Sequence, residues 1–146
     1  MMKYSDYEKY EEIAFDYLLK RYGWKIFTSP KYALVDGVAT HDNTITHVVE
    51  FKSRNMRYEQ LTRMGTYLIS HDKIVNGLKM SQMLCVPFIL VVYLIDSDMV
   101  MGVQIGDEHG PTIDIDTAET YTQKSIEGGQ VKRKNAFIGI DKFHIL

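Results

Sequence analysis

The feature that most constrains the fold is an unbroken apolar run from Phe88 to Ile95. A strand formed by this run has no polar alternation, so it must be covered on both faces and lie centrally in a sheet. The full apolar stretch begins at Val86, contains Pro87 and ends at Asp96, and it is too short to cross a bilayer. The run therefore predicts a buried central strand with packing layers on both sides.

Hydrophobic periodicity and chain breakers predict two helices and three more strands before this one. The first helix spans Tyr7 to Tyr22, because apolar residues recur at three- and four-residue spacing up to Gly23. A second helix runs from about 71 to 85 with Ser70 as its cap, although Gly77 weakens its middle. The strands lie at 25–28, 33–40 and 45–53, and the last two form a hairpin around residues 41–44. The segment 54–69 gives no clear signal.

The predicted order of elements, α-β-β-β-α-β, indicates an α/β fold with a central mixed sheet flanked by helices. Further short strands are predicted at 100–105, 112–115, 136–140 and 143–146, with a polar stretch through Gly128 and Gly129. A chain of 146 residues is close to the usual size of one domain. We therefore expect a single domain at 1–146, with a core at about 7–95 and a β-rich C-terminal extension at about 96–146.

Composition limits the function classes. The 17 Lys and Arg residues against 19 Asp and Glu give a formal net charge of −2, which argues against a uniformly basic nucleic-acid-binding surface. Cations are concentrated between Lys52 and Lys79, which fits either a polarised surface or a solvated segment with scattered charge. Cys85 is the only cysteine, which excludes an internal disulfide and a cysteine-based zinc site, and its apolar neighbours predict a buried side chain. The first residues lack an apolar leader, so a cytoplasmic location without membrane contact is expected.

Three charged residues lie where the predicted hairpin brings neighbouring strands together. Side chains alternate along a strand, so Glu50 and Lys52 share one face while Val49 and Phe51 occupy the other. Asp36, on the preceding strand, can lie beside them across the hairpin. Two carboxylates and one ammonium group are therefore predicted to converge.

Such a trio suits phosphodiester hydrolysis. Mg²⁺ binds through one or two carboxylates together with water and phosphate oxygens, so Asp36 and Glu50 suffice as protein ligands. Lys52 can neutralise the charge that develops on the phosphoryl oxygens or orient the attacking water. Without a metal the two carboxylates repel each other, which predicts a raised pKa for at least one of them.

The residues Val35-Asp36-Gly37-Val38 and Val48-Val49-Glu50-Phe51-Lys52, with the order of elements around them, resemble the PD-(D/E)XK nuclease superfamily. This superfamily includes restriction enzymes, Holliday-junction resolvases, and phage and repair nucleases. Val35 stands in place of the motif's proline, a departure that many members share. The resemblance covers about two thirds of the chain. It implies a restriction-endonuclease-like core and Mg²⁺-dependent cutting of DNA, with Mn²⁺ as a substitute ion, and by analogy it makes a homodimer reasonable.

The resemblance also implies supporting residues on both helices. Members often add a glutamate from the first helix, and here Glu11 lies within the apolar stripe while Glu12 lies on the polar side. Contact with a metal would explain an acid in that stripe, so Glu11 is a third predicted ligand, and Glu12 stays the alternative. Members also place a Lys or Gln on the second helix, which Lys73 matches, with Gln82 as a weaker alternative.

Cations and aromatic rings after the motif are candidates for DNA contact, because such mixtures grip phosphates and stack on bases. The predicted nucleic-acid-binding residues are Arg54, Arg57, Tyr58, Arg63, Lys73 and Lys79. Two other interpretations stay open. One is a catalytically weak or inactive DNA-binding module of the same fold, and the other is an interaction protein in which Glu50 and Lys52 form only a surface ion pair.

Overall fold

The computed structural model describes residues 4–30, 33–123 and 130–146. Within these ranges the helices are α1 at Tyr4–Tyr22, α2 at Tyr58–Met64 and α3 at His71–Leu84, with 3₁₀ turns at Ile95–Ser97 and Ile140–Lys142. None of these helices has the length and apolar character needed to cross a bilayer. The described strands are β1 at Lys25–Thr28, β2 at Gly37–His41, β3 at Thr44–Arg54, β4 at Thr66–Ser70, β5 at Phe88–Leu94, β6 at Met99–Asp107, β7 at Gly110–Pro111, β8 at Asp116–Gln123, β9 at Gln130–Gly139 and β10 at His144–Ile145.

Strand β5 lies inside the main sheet, as its apolar run predicts. The strand order is β1-β2-β3-β5-β6-β10, with β7 paired to β6. Strands β3 and β5 run parallel, whereas the other neighbouring strands run antiparallel. All seven residues of β5 are buried. The predicted central mixed sheet is confirmed.

Different layers cover the two faces of β5. On one face, Val91 packs with Phe51 of β3 and Leu18 of α1. On the other face, Leu90 and Val92 belong to a larger cluster that includes α3 and a second sheet, whose strand order is β4-β9-β8. Coverage on both sides explains why no charged residue interrupts β5.

The hairpin of β2 and β3 forms around the predicted turn. His41 pairs with Thr44, and the two residues between them, Asp42 and Asn43, have φ values of 49° and 63°. A two-residue hairpin turn requires positive φ at both positions, and Asp and Asn tolerate it better than most residues. The short polar sequence therefore sets the register of the pairs next to the turn, and an irregularity between Ala39 and Thr40 shifts the register of the remaining pairs.

Strand β2 begins later than predicted. It starts at Gly37, and residues 33–36 form bends, so the expected strand at 33–40 is wrong in its first half. The reason is the end of β1 at Thr28, which pairs with Gly37 and leaves the preceding residues without a partner strand on that side. Asp36 consequently lies one residue before the strand on which it was predicted.

The second sheet is built from segments that the sequence pattern describes poorly. Helix α2 and strand β4 occupy the segment without a clear signal and add two elements to the predicted order. The strand predicted at 112–115 is wrong, because after β7 the chain crosses to the second sheet through bends and irregular backbone. The polar residues that follow form β8, paired with β9, while Gly128 and Gly129 lie outside the described residues. From the predicted C-terminal extension, β6 and β10 lie in the main sheet.

Cys85 is exposed, so the prediction of a buried side chain is wrong. It follows the last residue of α3 and has a left-handed backbone with φ of 56°. Apolar neighbours predict burial only while the helix continues. Here the backbone reverses at Cys85 and turns its side chain away from the core.

Gly77 lies in the middle of α3 because the core leaves no room for a side chain there. The residue is buried, and a β-carbon added to it would collide with the ring of Phe88. Phe88 is itself fully buried at the start of β5. Glycine is unfavourable in a helix, and here close packing of α3 on the sheet offsets that disadvantage.

We expect Gly77→Ala to destabilise the protein by about 1–3 kcal/mol, although alanine favours helix by up to about 1 kcal/mol, because overpacking against Phe88 outweighs propensity. Urea denaturation measures the change. Lys79→Ala, at an exposed position of the same helix, serves as the control and should change stability by less than about 0.5 kcal/mol. A Gly77→Ala protein as stable as its parent would show that the contact with Phe88 relaxes without strain.

Candidate active site

Strand β3 extends beyond its partner β2 at the place where Glu50 and Lys52 occur. The last residue pair of the hairpin is Gly37 with Val49, whereas β3 continues to Arg54. On its other edge β3 pairs with β5 along this whole stretch, from Glu50 opposite Leu90 onwards. The motif residues are therefore anchored to the sheet centre on one side and face a gap in the sheet on the other.

Two side chains fill that gap by binding the peptide groups of Phe51. The backbone N–H of Phe51 donates to Oδ2 of Asp36 at 2.8 Å. The hydroxyl of Tyr7, on α1, donates to the carbonyl oxygen of Phe51 at 3.0 Å. Phe51 lies between Glu50 and Lys52, so both bonds fix the backbone that orients those two side chains.

The carboxylate of Glu50 is buried between the ammonium groups of two lysines. Glu50 is 1% exposed, and Nζ of Lys52 lies 3.5 Å from its Oε2. Nζ of Lys73, in the first turn of α3, lies 3.8 Å from its Oε1. Neither carboxylate oxygen accepts a hydrogen bond from any described residue. A buried carboxylate without a hydrogen-bond donor is unfavourable, and two nearby ammonium groups offset only part of that penalty.

The pKa of Glu50 is raised to about 7, first by burial and then by the neighbouring carboxylate of Asp36, while Lys52 and Lys73 act in the opposite direction. Two carboxylates can hydrogen-bond each other only when one is protonated. Protonated Glu50 can donate to Asp36, which also favours the neutral acid. A cation bound between Asp36 and Glu50 would favour the charged form of both carboxylates.

A cavity of about 280 Å³ opens beside these residues. Asp36, Lys73, Tyr7 and Glu11 all contribute to its wall. Its volume accommodates a hydrated ion, since one water occupies about 30 Å³. A larger cavity, of about 680 Å³, lies between α1 and the last residues and contains none of the predicted site residues.

Burial and position in the fold distinguish Glu11 from Glu12 as candidate ligands. Glu11 is half-buried and lines the cavity, and the pKa of its carboxyl group is raised by burial first and then by the charges of Asp36 and Glu8. Glu12 is exposed and is absent from the cavity wall. Of the two alternatives that the sequence leaves open, Glu11 is the one that the fold brings to Asp36.

The donor set fits a hard divalent cation. Asp36 and Glu50 are close enough for each charge to affect the other, and both oxygens of Glu50 lack a hydrogen-bond donor within the described chain. Among the described residues, no three His, Cys, Asp or Glu side chains already converge closely enough to hold an ion. Magnesium requires only one or two carboxylates and completes its shell with water, so this pair suffices.

The predicted DNA-contacting residues are distributed unevenly. Arg54 follows the motif on β3, and its guanidinium lies 5.3 Å from the ring centre of Tyr67. Arg57 and Arg63 are exposed at the two ends of α2, and the backbone N–H of Tyr58 donates to Oγ of Ser97.

Two candidates lie away from the site. Lys79 and Gln82 line a separate depression of α3 beside Asp107 and Glu108. Lys73, by contrast, lines the cavity beside Asp36 and forms an ion pair with Glu50. Of the two polar residues of α3 considered for the supporting role, only Lys73 is close to the carboxylates.

Tyr7 is a site residue that the sequence analysis does not identify. Its signal is positional, because Tyr7 and Glu11 are four residues apart and therefore share a helix face. Burial raises the pKa of Tyr7, and the charges of Asp36, Glu11 and Glu50 raise it further, so the hydroxyl remains a proton donor. A tyrosine beside an acid on one helix face is too common to indicate this role without the fold.

Comparisons with known proteins place these features in a wider group. A solved structure of Hjc, a Holliday junction resolvase from the archaeal hyperthermophile Archaeoglobus fulgidus, is similar with a TM-score of 0.52 and 13% sequence identity, over 91% of this chain and 85% of that chain. No curated protein matches the chain. The mixed sheet and its helices therefore define the restriction-endonuclease-like fold.

The family follows from the sequence match. Residues 4–126 match the family model described as "Phage putative PDDEXK endonuclease", which covers most of the chain. The chain belongs to this PDDEXK endonuclease family, as its motif residues predict. The matched range contains α1, the β2–β3 hairpin, α3 and β5, the elements that position the carboxylates.

We expect Glu50→Gln to stabilise the metal-free protein at pH 8 by up to about 3 kcal/mol, and much less at pH 5. The folded-state pKa of about 7 lies above the ordinary value of 4.5. The free energy of unfolding therefore falls as the pH rises from about 4.5 to about 7, because the unfolded chain releases its proton first. A neutral glutamine removes this loss. Urea denaturation in EDTA at both pH values measures it, with Glu12→Gln at an exposed position of α1 as the control. Equal effects of Glu50→Gln at pH 5 and pH 8 would contradict the assignment of the raised pKa.

Proposed function

We propose that this protein is a Mg²⁺-dependent nuclease that hydrolyses phosphodiester bonds in DNA. The observation that carries the proposal is the buried carboxylate of Glu50, which has no hydrogen-bond donor among the described residues and lies beside Asp36 and two lysines. Membership in an endonuclease family supports the reaction class. The site lies next to a cavity, which a purely structural ion pair does not need.

The chain's own residues divide the chemical work. Asp36 and Glu50 would hold the metal, with Glu11 as a further carboxylate that lines the cavity. When bound, Mg²⁺ polarises a phosphoryl oxygen and lowers the pKa of a coordinated water. Lys52 presents its ammonium group beside Glu50, where it can stabilise negative charge that develops on the phosphate or orient the attacking water.

Lys73 has a second task in this proposal. It reaches the same carboxylate from α3 and also lines the cavity. Its ammonium group could move from Glu50 to a substrate phosphate if a bound metal neutralised the two carboxylates. Arg54, which follows the motif at the end of β3, is a further cation that could contact the DNA backbone.

Cleavage assays test the proposal. Supercoiled plasmid, linear duplex, single-stranded and branched DNA are incubated with Mg²⁺ or Mn²⁺, and we expect cleavage of at least one of them that EDTA abolishes. Asp36→Asn, Glu50→Gln and Lys52→Met should each lower the rate by about 100-fold or more, because each removes a group that acts on transition-state charge. Glu12→Gln, exposed on α1, is the matched control and should cut at the parental rate.

Failure of every DNA to be cut would overturn the proposal. If the protein instead binds DNA with an affinity that survives Lys52→Met, the chain is a binding module of the same fold. If it neither cuts nor binds DNA, the charged trio serves only the structure of the sheet.

We expect Tyr7→Phe to lower kcat by about 10- to 100-fold and to leave KM for DNA nearly unchanged, because a motif displaced by a fraction of an ångström reacts more slowly. The substitution keeps the ring that packs on Phe51 but removes the hydroxyl that holds its carbonyl. Steady-state cleavage kinetics measure the effect. Tyr10→Phe is the control, since the ring of Tyr10 packs on Tyr93 away from the site. A parental kcat in Tyr7→Phe would mean that the bond to Phe51 does not position the motif.

A further inference from the structure

Strands β8 and β9 extend beyond the rest of the second sheet. They pair from Asp116 with Phe137 to Gln123 with Gln130. The last residue of β4 that pairs with β9 is Ser70, opposite Asn135. The five pairs beyond this point, residues 119–123 with 130–134, form a two-stranded segment that we call the ribbon. At about 3.4 Å per residue the ribbon extends about 17 Å past the end of β4.

The ribbon is basic, although the chain as a whole has a net charge of −2. Lys132, Arg133 and Lys134 are consecutive and exposed, and Glu119 is the one acid in its sequence, which gives three cations against one carboxylate. Glu119 pairs with Lys132 at 2.9 Å. Arg133 and Lys134 form no ion pair with any described residue, so their charges remain available to a partner.

The cations lie on both faces of the ribbon. Side chains alternate along a strand, so Arg133 projects opposite to Lys132 and Lys134. A flat protein partner would meet only one of these faces. The groove of a DNA duplex has phosphates on both sides, and the major groove is wide enough for a two-stranded β ribbon. Charge complementarity therefore favours duplex DNA as the partner.

The ribbon begins next to the candidate active site. Ser70, which pairs with Asn135 at its base, immediately precedes α3. Three residues later, Lys73 reaches the carboxylate of Glu50. A helical turn of DNA is about 34 Å long, so an arm of about 17 Å starting at this point spans about half a turn of duplex.

We propose that the ribbon is a docking arm that holds the backbone of duplex DNA about half a helical turn from the bond to be cut. The position of this bond rests on the proposed function, whereas the binding of DNA by the ribbon does not. Arg133 and Lys134 contact phosphates, and the arm increases affinity without touching the reacting groups.

The experiment measures DNA binding separately from cleavage. Fluorescence anisotropy is recorded with the Glu50→Gln protein as parent, on duplexes of about half a turn and about three turns in length. Adding Arg133→Gln and Lys134→Gln should weaken binding of the long duplex by about 10-fold at moderate salt. It should also reduce the slope of log affinity against log salt by about 2, because two phosphate contacts are lost. Binding of the short duplex should change little.

A charge-matched control carries Lys9→Gln and Lys142→Gln, two exposed positions outside the ribbon and the site. It should bind both duplexes like the parent. Thermal unfolding should be unchanged in both double variants, because all four side chains are exposed. With Glu50 restored, the ribbon variant should cut long DNA with a raised KM and the parental kcat.

The outcomes separate the two proposals. A ribbon variant that binds long duplex with parental affinity and salt slope, or a control variant weakened as much, overturns the docking arm. A variant that keeps its DNA affinity but changes its oligomeric state in size-exclusion chromatography also overturns it, in favour of a protein contact. Salt-dependent loss of binding in a protein that cuts no DNA supports the arm and overturns only the nuclease. A parent that binds no duplex overturns the arm.

Discussion

The arrangement of the residues in the candidate site depends on the burial of one carboxylate, that of Glu50. Glu50 is 1% exposed on a strand whose neighbours Val49 and Phe51 are fully buried, and its oxygens receive no hydrogen bond within the described chain. An acid in such a position weakens the fold near neutral pH, which is the meaning of a pKa raised to about 7. A sheet that needed only stability would place an apolar residue here. The proposed function accounts for this acid, because a carboxylate that binds a cation gains from such a position.

The edge of β3 explains how that acid is held in place. Because β2 begins only at Gly37, its pairing with β3 stops one residue before Glu50. Asp36 accepts from the N–H of Phe51 and Tyr7 donates to its carbonyl oxygen, so this edge of β3 stays extended without a partner strand there. Asp36 thus does two things, since one carboxylate fixes the motif backbone and also raises the pKa of Glu50. The late start of β2 leaves this edge of β3 open beside the cavity.

Sequence patterns predict the elements that carry a strong period or an uninterrupted core. Helix α1, strand β1, the hairpin turn at Asp42 and Asn43, and β5 follow from periodicity, breakers and burial on both faces. Helix α2 and strand β4 have seven and five residues and are separated by Gly65, so neither is long enough to establish a period. Strand β8 is not predicted from the sequence pattern for another reason. Its sequence is mostly polar and residues 116–119 are exposed, so only pairing with β9 makes it a strand.

The residues of the candidate site also divide into those that the sequence pattern predicts and those that it does not. Asp36, Glu50 and Lys52 are predictable because strand alternation and a hairpin place them together, and the apolar stripe of α1 favours Glu11. Tyr7 is not predictable, because its role depends on the gap beside Phe51, a tertiary feature. Lys79 and Gln82 lie elsewhere because position along α3 alone does not determine which layer a helix face meets.

Whether Asp36 and Glu50 hold a metal ion can be seen in a structure of the protein soaked in Mn²⁺, with an anomalous difference map. We expect one strong peak within about 2–2.5 Å of carboxylate oxygens from both Asp36 and Glu50. Glu11 should face the same ion, directly or through water. Manganese bound only at other acids, with Asp36 and Glu50 in their metal-free positions, would contradict the account.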